Sequence, residues 1–326
     1  MGEFELIRHY FRQHSAESTP ESVLLGVGDD AALLQPPAGE SLVVTVDTLM
    51  AGAHFPQDAP AEEIGQRALR VNLSDLAAMG ARPLWFTLAL TLPEASEEWL
   101  RGFSRGLFAA AEEYGCTLVG GDTTRGPLSI TVQAMGAVPT GLALRRDGAS
   151  AGDYVLVTHT LGDSAGGLAV LQERLSKDPG DEVRTFLTER YWRPMPRLEA
   201  ASRLTGIASA ALDISDGLLA DLGHICEASD LGAEIFVEDL PLSAALQAAT
   251  DQTQAREWAL TGGDDYELCF TVPESQMGEL GMLIASGELQ ASVVGRMRAG
   301  SGVDCRLHGE PFATQSFATQ QGYTHF

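Results

Sequence analysis

The chain has 326 residues, of which 44% are hydrophobic and 20% charged, a composition typical of an ordinary globular protein long enough for two domains. Its 45 acidic and 21 basic residues give a formal charge of −24, so electrostatics opposes binding to nucleic acid or to an anionic membrane. Lys177 is the only lysine and lies in a polar segment, which excludes a P-loop, a protein-kinase ATP site and Schiff-base chemistry.

The cysteines and the N-terminal residues predict the cellular compartment of the protein. The four cysteines, Cys116, Cys226, Cys269 and Cys305, form no CxxC pair and are interpreted as reduced core residues. The N-terminus lacks the blocks of a signal peptide, and no apolar stretch is long enough for a membrane helix. We therefore expect a cytoplasmic protein with neither a membrane nor a nucleic-acid partner.

The first half of the chain alternates between helical and strand patterns. Apolar spacing predicts a helix over 3–13, and a β-branched run predicts a strand over 41–46 that ends at Asp47. Pro60 and Gly80 mark the start and stop of a helix. Further elements are then predicted in order: a strand over 84–92, a helix from Ser96 to Gly115, and strands over 118–119 and 129–138.

The second half begins after a change of composition over 141–152, which predicts a domain crossing, with domains 1–146 and 147–326. The polar segment 176–185 is expected to be flexible. Strands are predicted over 154–158, 208–214, 266–272, 291–295 and 303–307, with helices opening near Gly162, after 193–197 and over 218–229. The pattern predicts a mixed α/β fold without short repeats.

Aspartates recur in similar settings along the chain. Asp30, Asp47 and Asp122 each follow an apolar run or glycines, so each is expected at a strand end, while Asp75 lies on a predicted helix one turn from Asn72. Taken singly, each could be a turn or helix-cap residue. With Asp213 and Asp216 from the second half, the repetition favours convergence on a multi-metal site, because converging carboxylates repel unless cations lie between them.

Other residues suit phosphate and ring binding but leave alternatives open. Gly121 offers backbone N–H groups beside Asp122, a plausible phosphate cradle, and Ser215 precedes a predicted helix N-terminus. Arg146 could clamp a phosphate or be a linker arginine. His54 alone is more often a structural hydrogen-bonding residue, and Tyr323 could pack or stack on a ring.

Read together, the motifs resemble the thiamine-monophosphate kinase family. The ordered set runs along essentially the whole chain and is specific as a set, although no single motif is decisive. It consists of GVGDDAA (26–32), VDTL (46–49), HF (54–55), NLSDLAAMGA (72–81), GGDTT (120–124), DISDGL (213–218), GGDDYEL (262–268) and GYTHF (322–326).

The resemblance implies a two-domain mixed α/β fold like that of aminoimidazole ribonucleotide synthetase, whose N-terminal domain dimerises through its sheet. It implies Mg²⁺-dependent transfer from ATP to thiamine monophosphate, giving thiamine diphosphate and ADP, in a homodimer. The residues carried over for several Mg²⁺ ions are Asp30, Thr45, Val46, Asp47, Asp75, Asp122, Asp213 and Asp216. Those carried over for ATP are Gly121, Asp122, Arg146 and Ser215, and those for thiamine monophosphate are His54, Asp264 and Tyr323.

Two positions depart from the family pattern. Asp264 stands where the family commonly has Glu, so this acid is one methylene shorter. Val46 stands where Thr or Ser is common, so a metal contact there would use the backbone carbonyl.

Rival interpretations within the same fold are weaker. A selenophosphate synthetase would need an early Cys and Lys, yet no Cys precedes Cys116, and the hydrogenase maturation protein ends in a cysteine, whereas this chain ends in Phe326. Aminoimidazole ribonucleotide synthetase stays open as an alternative, although the ordered set of motifs does not match it. A non-catalytic metal or nucleotide sensor remains the alternative from another class.

Overall fold

The computed structural model of the protein describes residues 3–12 and 20–313. The chain folds into two compact units. The first comprises Met1–Leu76 and Ala81–Gly141, and the second comprises Ala77–Gly80 and Leu142–Phe326. The domain boundary at 146/147 stays a prediction.

Among its described residues, the first unit contains a short N-terminal helix, two long helices and a four-stranded sheet. Its elements are α1 (Glu3–Ile7), a π-helical turn (Arg8–Arg12), β1 (Val23–Leu25), β2 (Leu33–Leu34), β3 (Glu40–Met50), α2 (Ala61–Ala78), β4 (Arg82–Leu92), α3 (Glu97–Glu113), β5 (Thr117–Arg125) and β6 (Ser129–Pro139). Strands β1 and β2 form a small hairpin. The sheet has the order β3-β6-β4-β5, in which β4 and β5 are parallel and the other pairs antiparallel.

Helix α3 follows its sequence signals closely. The Ser96 hydroxyl accepts the Trp99 N–H at 3.3 Å, and two glutamates occupy the first turn, where the helix dipole favours negative charge. Leu100, Phe103 and Leu107 recur at helical spacing and are fully buried. The predicted helix from Ser96 to Gly115 is confirmed.

Strands β3 and β5 continue beyond the expected strand ends, so two predictions were wrong. Asp47 pairs with Val132 inside β3, and Asp122 pairs with Ala89 inside β5. Backbone pairing continues past these polar residues because a strand needs an apolar side chain only on the face that packs against a core. Both carboxylates therefore project from strand interiors.

The second unit is built on a seven-stranded sheet among the described residues. Its strands are β7 (Tyr154–Thr158), β8 (Ala210–Asp213), β9 (Gly232–Phe236), β10 (Leu268–Val272), β11 (Ala291–Arg298), β12 (Gly302–Leu307) and β13 (Glu310–Pro311), in the order β13-β12-β9-β11-β7-β10-β8. Only the β12–β9 pair is parallel within this sheet. Its helices are α4 (Asp163–Leu171), α5 (Asp181–Trp192), α6 (Leu198–Leu204), α7 (Leu218–Ser229), α8 (Ala244–Ala249), α9 (Gln252–Thr261) and α10 (Met277–Ala285).

Both faces of this sheet are covered. On β7, Val155 and Val157 join a core cluster with residues of α7 and α9, whereas Leu156 joins a separate cluster with residues of α6 and α10. This alternation is the expected result of a strand buried on two sides. The second unit thus has helix–sheet–helix layers, and the predicted mixed α/β class is confirmed.

Several sequence expectations are refined in this unit. The segment 176–185 was expected to be flexible, but α5 begins at Asp181, with Gly180 at a φ of 86° before it and acids in its first turn. Strand β9 and helices α8, α9 and α10 were not predicted. The four cysteines are free and buried, and burial raises the pKa of the Cys226 thiol to about 11, which makes it unreactive. Within the described residues, no helix is long and apolar enough to cross a membrane.

The crossing of α2 and α3 depends on two glycines. A Cβ added at Gly65 would lie 2.2 Å from the Phe103 carbonyl oxygen, and one added at Gly106 would lie 1.9 Å from the Glu62 carbonyl oxygen. Because both obstacles are backbone atoms in the partner helix, neither can move aside without separating the helices.

We expect Gly106→Ala to lower the free energy of unfolding by ~1–3 kcal/mol, because the added methyl overpacks the helix crossing. Urea denaturation measures this. Gly223→Ala is the control, since Gly223 lies in α7 with open space around its Cβ position. It should be neutral or stabilising by ~0.5–1 kcal/mol. Equal effects of the two changes would contradict the packing role of Gly106.

Candidate functional site

In the first unit, β3 and α2 bring three predicted metal ligands together. The Thr45 hydroxyl donates to the Asp75 carboxylate at 2.5 Å, and the Asp47 N–H donates to the Asn72 side-chain oxygen at 3.1 Å. Asn72 is fully buried and its amide donates to the Ala68 carbonyl at 2.9 Å, which fixes its orientation. The polar helix face predicted from Asn72 and Asp75 therefore lies against β3.

Val46 lies between these residues in sequence but faces the other way. Its side chain is 60% exposed, on the side of β3 that also presents Leu42 and Val44. Since successive side chains alternate across a strand, Thr45 and Asp47 share the α2 side and Val46 does not. A ligand on the α2 side could use only the Val46 backbone, and a metal contact there stays a prediction.

Gly121 and Asp122 line a depression of the first unit. Gly121 has a φ of 155°, and a Cβ there would lie 1.9 Å from the Leu88 carbonyl oxygen, so close approach of β5 to β4 requires glycine. The depression is lined by apolar residues together with polar residues of β5: Ile7, Phe11, Val27, Leu88, Leu118, Gly120, Gly121, Asp122 and Thr123. A polar strand edge beside apolar residues suits a ligand with a ring and a charged group.

Asp30 and His54 are held by local contacts. The Asp29 carboxylate accepts the Asp30 N–H at 2.8 Å, which leaves the Asp30 side chain on the exposed loop. His54 Nδ1 accepts the Met50 N–H at 3.0 Å. A neutral imidazole that accepts through Nδ1 carries its proton on Nε2, so His54 is prepared to donate from that atom.

In the second unit, β8 ends at Asp213, as predicted, and the following turn carries Ser215 and Asp216. The N–H groups of Asp216 and Gly217 both donate to one oxygen of Asp221, at 2.9 and 3.1 Å. Burial raises the pKa of Asp221 to about 7; the Asp216 N–H acts against this rise, while the negative charges of Asp216 and Asp213 add to it. Asp221 therefore shapes the turn that bears two predicted site residues.

Sequence reasoning missed Asp221, although a signal was present. The signal is that Asp221 is an acid within the apolar run Leu218–Leu222. It was overlooked because an acid at the start of a helix is usually explained as an exposed residue.

Asp264 is joined directly to the same turn. Its N–H donates to the Ser215 carbonyl at 2.8 Å, and the Tyr266 N–H donates to the Ile214 carbonyl at 2.9 Å. A Cβ at Gly263 would lie 2.5 Å from the Ser215 carbonyl oxygen, so only glycine permits this approach. The structure thus makes neighbours of Ser215, predicted to bind ATP, and Asp264, predicted to bind the acceptor.

The two remaining predicted residues are Arg146 and Tyr323. Arg146 is exposed, and its carbonyl accepts the Ser229 hydroxyl at 3.1 Å. The adjacent Arg145 carbonyl accepts the Ala211 N–H at 2.8 Å, which ties this segment to β8. Tyr323 lies outside the described residues.

The donor set is compatible with Mg²⁺ in one specific way. Among residues 3–12 and 20–313, no three His, Cys, Asp or Glu side chains form a group that could hold a metal. Mg²⁺ usually keeps several waters and binds one or two carboxylates together with substrate phosphates, so such a complete protein cage is not required. Oxygen-donor pairs such as Thr45 and Asp75 fit that mode, and the metal ligand set stays a prediction.

Comparison with known proteins shows to which class of proteins the chain belongs. The model for AIR synthase related protein, N-terminal domain, matches residues 28–138, and the model for AIR synthase related protein, C-terminal domain, matches residues 150–308. The hydrogenase maturation protein HypE of E. coli, 22% identical over 96% of each chain with a TM-score of 0.75, shares the fold. The chain thus has the two-domain fold of AIR synthase related proteins.

Relatives with higher sequence identity show which family within this class the chain belongs to. Thiamine-monophosphate kinase of Salmonella typhimurium is 48% identical over all of this chain and 98% of its own length. A crystal structure of thiamine-monophosphate kinase from Stenotrophomonas maltophilia is 48% identical, with a TM-score of 0.85 over 94% of this chain and 97% of that one. The structure AaThiL complexed with AMPPCP and TMP is 33% identical, with a TM-score of 0.77 over 100% and 97%. The chain belongs to the thiamine-monophosphate kinase family.

The Asp221 contacts lead to a prediction. Asp221→Ala should lower the free energy of unfolding by ~1–3 kcal/mol, because two N–H groups lose their buried acceptor. Asp221→Asn should retain most of the stability, since one amide oxygen can accept both N–H groups. Urea denaturation of the two variants checks this. If both variants lost the same stability, the two N–H bonds would not be the role of Asp221.

Proposed function

We propose that the protein is a kinase that transfers the γ-phosphoryl group of ATP to thiamine monophosphate, giving thiamine diphosphate and ADP. The observation that carries this proposal is the 48% identity, over the full chain, to a relative named thiamine-monophosphate kinase. The hydrogen bond between Asp264 and Ser215 supports it, because it holds a predicted acceptor contact next to a predicted ATP contact.

The proposed residue roles follow the family resemblance. Mg²⁺ ions are held by carboxylates, a hydroxyl and a backbone carbonyl: Asp30, Thr45, Val46, Asp47, Asp75, Asp122, Asp213 and Asp216. ATP is bound by Gly121, Asp122, Arg146 and Ser215. Thiamine monophosphate is bound by His54, Asp264 and Tyr323.

The proposed mechanism is direct in-line transfer without a phosphoenzyme. The acceptor oxygen belongs to a phosphate that is already anionic, so the residues need to position two substrates rather than remove a proton from a hydroxyl. Bound Mg²⁺ supplies neutralisation of the phosphate charges. Arg146 binds a phosphate of ATP. His54 donates a hydrogen bond from Nε2 to thiamine monophosphate, and Asp264 holds the same substrate from its loop. A radiolabelled protein recovered after incubation with γ-labelled ATP alone would contradict this mechanism.

The alternative is a sensor that binds nucleotide without turnover. We expect the purified protein to form thiamine diphosphate from thiamine monophosphate and ATP only when Mg²⁺ is present. Chromatography of the products measures this. Tight ATP binding without any product would favour the sensor.

Asp47 provides the sharpest test of the metal role. We expect Asp47→Asn to fold and to lower kcat by about 100-fold or more, because a carboxylate that would hold Mg²⁺ is lost, and with it part of the charge neutralisation that phosphoryl transfer needs. Asp58→Asn is the control, since Asp58 is an exposed acid on a loop of the same unit. Product formation at saturating Mg²⁺ is the measurement. If Asp47→Asn kept its turnover, the acids around β3 would be structural.

The surface of the first unit supports a homodimer, and the cysteines of the chain support a cytoplasmic location. Strand β3 is an edge of the four-stranded sheet among the described residues, and one face of it exposes Leu42, Val44 and Val46. Monomeric proteins seldom expose such a contiguous apolar surface, and a second copy would cover it. The four buried free thiols are consistent with a reducing compartment.

Val44→Asp should weaken the dimer at least about tenfold, because a charge would be buried on a surface that otherwise contributes apolar contacts. Sedimentation velocity across a concentration series measures the change. The control is Met282→Asp, which places the same charge at an exposed residue of α10. An unchanged sedimentation coefficient for Val44→Asp would place the interface elsewhere.

A further inference from the structure

The loop Gly262–Glu267, which joins α9 to β10, alternates between buried and accessible residues. Asp265 and Glu267 are 1% and 0% exposed, whereas Asp264 and Tyr266 are only partly buried. Buried acids are uncommon unless they are bonded, so these two carboxylates need an account of their own. None of the roles assigned above uses them.

Asp265 is bonded to the start of α4. One of its oxygens accepts the Gly162 N–H at 2.6 Å, and the other accepts the Ser164 N–H at 3.1 Å. Burial raises the pKa of Asp265 to about 8, while the two N–H groups and Arg190 lower it. The carboxyl therefore connects the loop to the N-terminal end of a nine-residue helix through two directed bonds.

Glu267 is held by two arginines. Arg197 donates to it from Nε at 2.6 Å and from Nη2 at 2.5 Å, and Arg190 donates at 2.7 Å. The Thr158 hydroxyl donates at 2.6 Å. Although burial acts to raise the pKa of Glu267, the two guanidinium groups hold it below its usual value. Glu267 is therefore held as an anion by these four bonds.

Asp264 and Tyr266, which flank Asp265 in the loop, have backbones that non-glycine residues avoid. Asp264 has a φ of 72° and Tyr266 a φ of 50°, both in the left-handed region. Such conformations persist only where the surroundings enforce them, and they concentrate at functional sites. Here the enforcement comes from the buried anchors on one side and from the backbone bonds to Ile214 and Ser215 on the other.

A purely stabilising role does not account for this arrangement well. Buried ion networks often contribute no more stability than apolar side chains of the same volume, because desolvation offsets the attraction. They do fix geometry, since each bond has a direction. The geometry fixed here is that of Asp264, whose carboxylate also lies 3.4 Å from the Tyr266 hydroxyl.

We propose that Asp265 is a positioning residue of the kinase reaction, which acts through Asp264 by holding the loop Gly262–Glu267 against the start of α4. This rests on the proposed function and on the proposed contact of Asp264 with thiamine monophosphate. Asp265 itself touches neither substrate. Glu267 holds the other end of the same loop and has the same role.

The first test is the KM for thiamine monophosphate in Asp265→Asn. We expect it to rise about tenfold, with kcat and the KM for ATP changing less than about threefold, because the new amide group can accept only one of the two N–H bonds and displaces the loop. Asp153→Asn is the control at another buried acid. Asp153 is 4% exposed and accepts the Ser150 N–H and the Ser209 hydroxyl through one oxygen, but it has no bond to the loop. We expect its KM to equal that of the unchanged protein.

A double-mutant cycle separates positioning from general damage. In an Asp264→Ala background, Asp265→Asn should cause no further rise in KM for thiamine monophosphate, because the group through which it acts is gone. A rise of the same size in both backgrounds would overturn the proposal and make Asp265 merely structural. An unchanged KM in the single variant would overturn it as well.

Two further outcomes keep the test decisive. If Asp265→Asn does not fold, Glu267→Gln is measured in the same two backgrounds, with the same expectation and the same contradicting result. If the unchanged protein forms no thiamine diphosphate, the proposed function fails and the positioning role fails with it. If the unchanged protein is active and neither loop variant shifts KM, only the positioning role fails.

Discussion

The candidate site residues of the second unit depend on backbone bonds that continue the pairing of β8 and β10 beyond the ends of both strands. Leu268 pairs with Asp213 as the ladder closes, and the Ile214 N–H then donates to the Glu267 carbonyl at 2.8 Å. The bonds from Tyr266 and Asp264 extend this contact toward the helix start at Gly217. Because main-chain bonds fix the relative place of two segments more tightly than side-chain contacts do, the acids they carry have little freedom. A site for two charged substrates gains from that rigidity, since donors that are already oriented need no reorganisation when the substrates bind.

The strand ends near the candidate site residues could be predicted from the sequence only in part. Asp213 was placed correctly because an apolar run and its strand end at the same residue. Asp47 and Asp122 were not, because the pairing of β3 with β6 and of β5 with β4 continues through them. The end of an apolar run marks where a strand leaves the core, whereas the end of a strand is set by its neighbours. Patterns within one segment contain no information about those neighbours.

The buried acids were missed for a related reason. Glu267 meets Thr158, which is 109 residues away in sequence, and Arg197, which is 70 residues away. No spacing rule links such positions, and each residue by itself is most simply explained as exposed. The helices predicted from caps and glycines were recovered because capping is local, as the bond between Ser96 and Trp99 shows. Local chemistry is readable from the sequence, and long-range pairing is not.

Because Asp264 is a shorter acid than glutamate, the position of its carboxylate depends strongly on the position of the backbone that carries it. The side chain of Asp264 reaches about 1.5 Å less far than a glutamate would, since it lacks one methylene. A misplacement of about 1 Å can cost roughly 100-fold in rate when catalysis depends on positioning. A short side chain has few rotamers with which to correct such an error, so its backbone must be placed accurately. The left-handed φ of 72° at Asp264 and the two anchored acids beside it supply that accuracy, and they tie the contribution of this carboxylate to the loop that carries it.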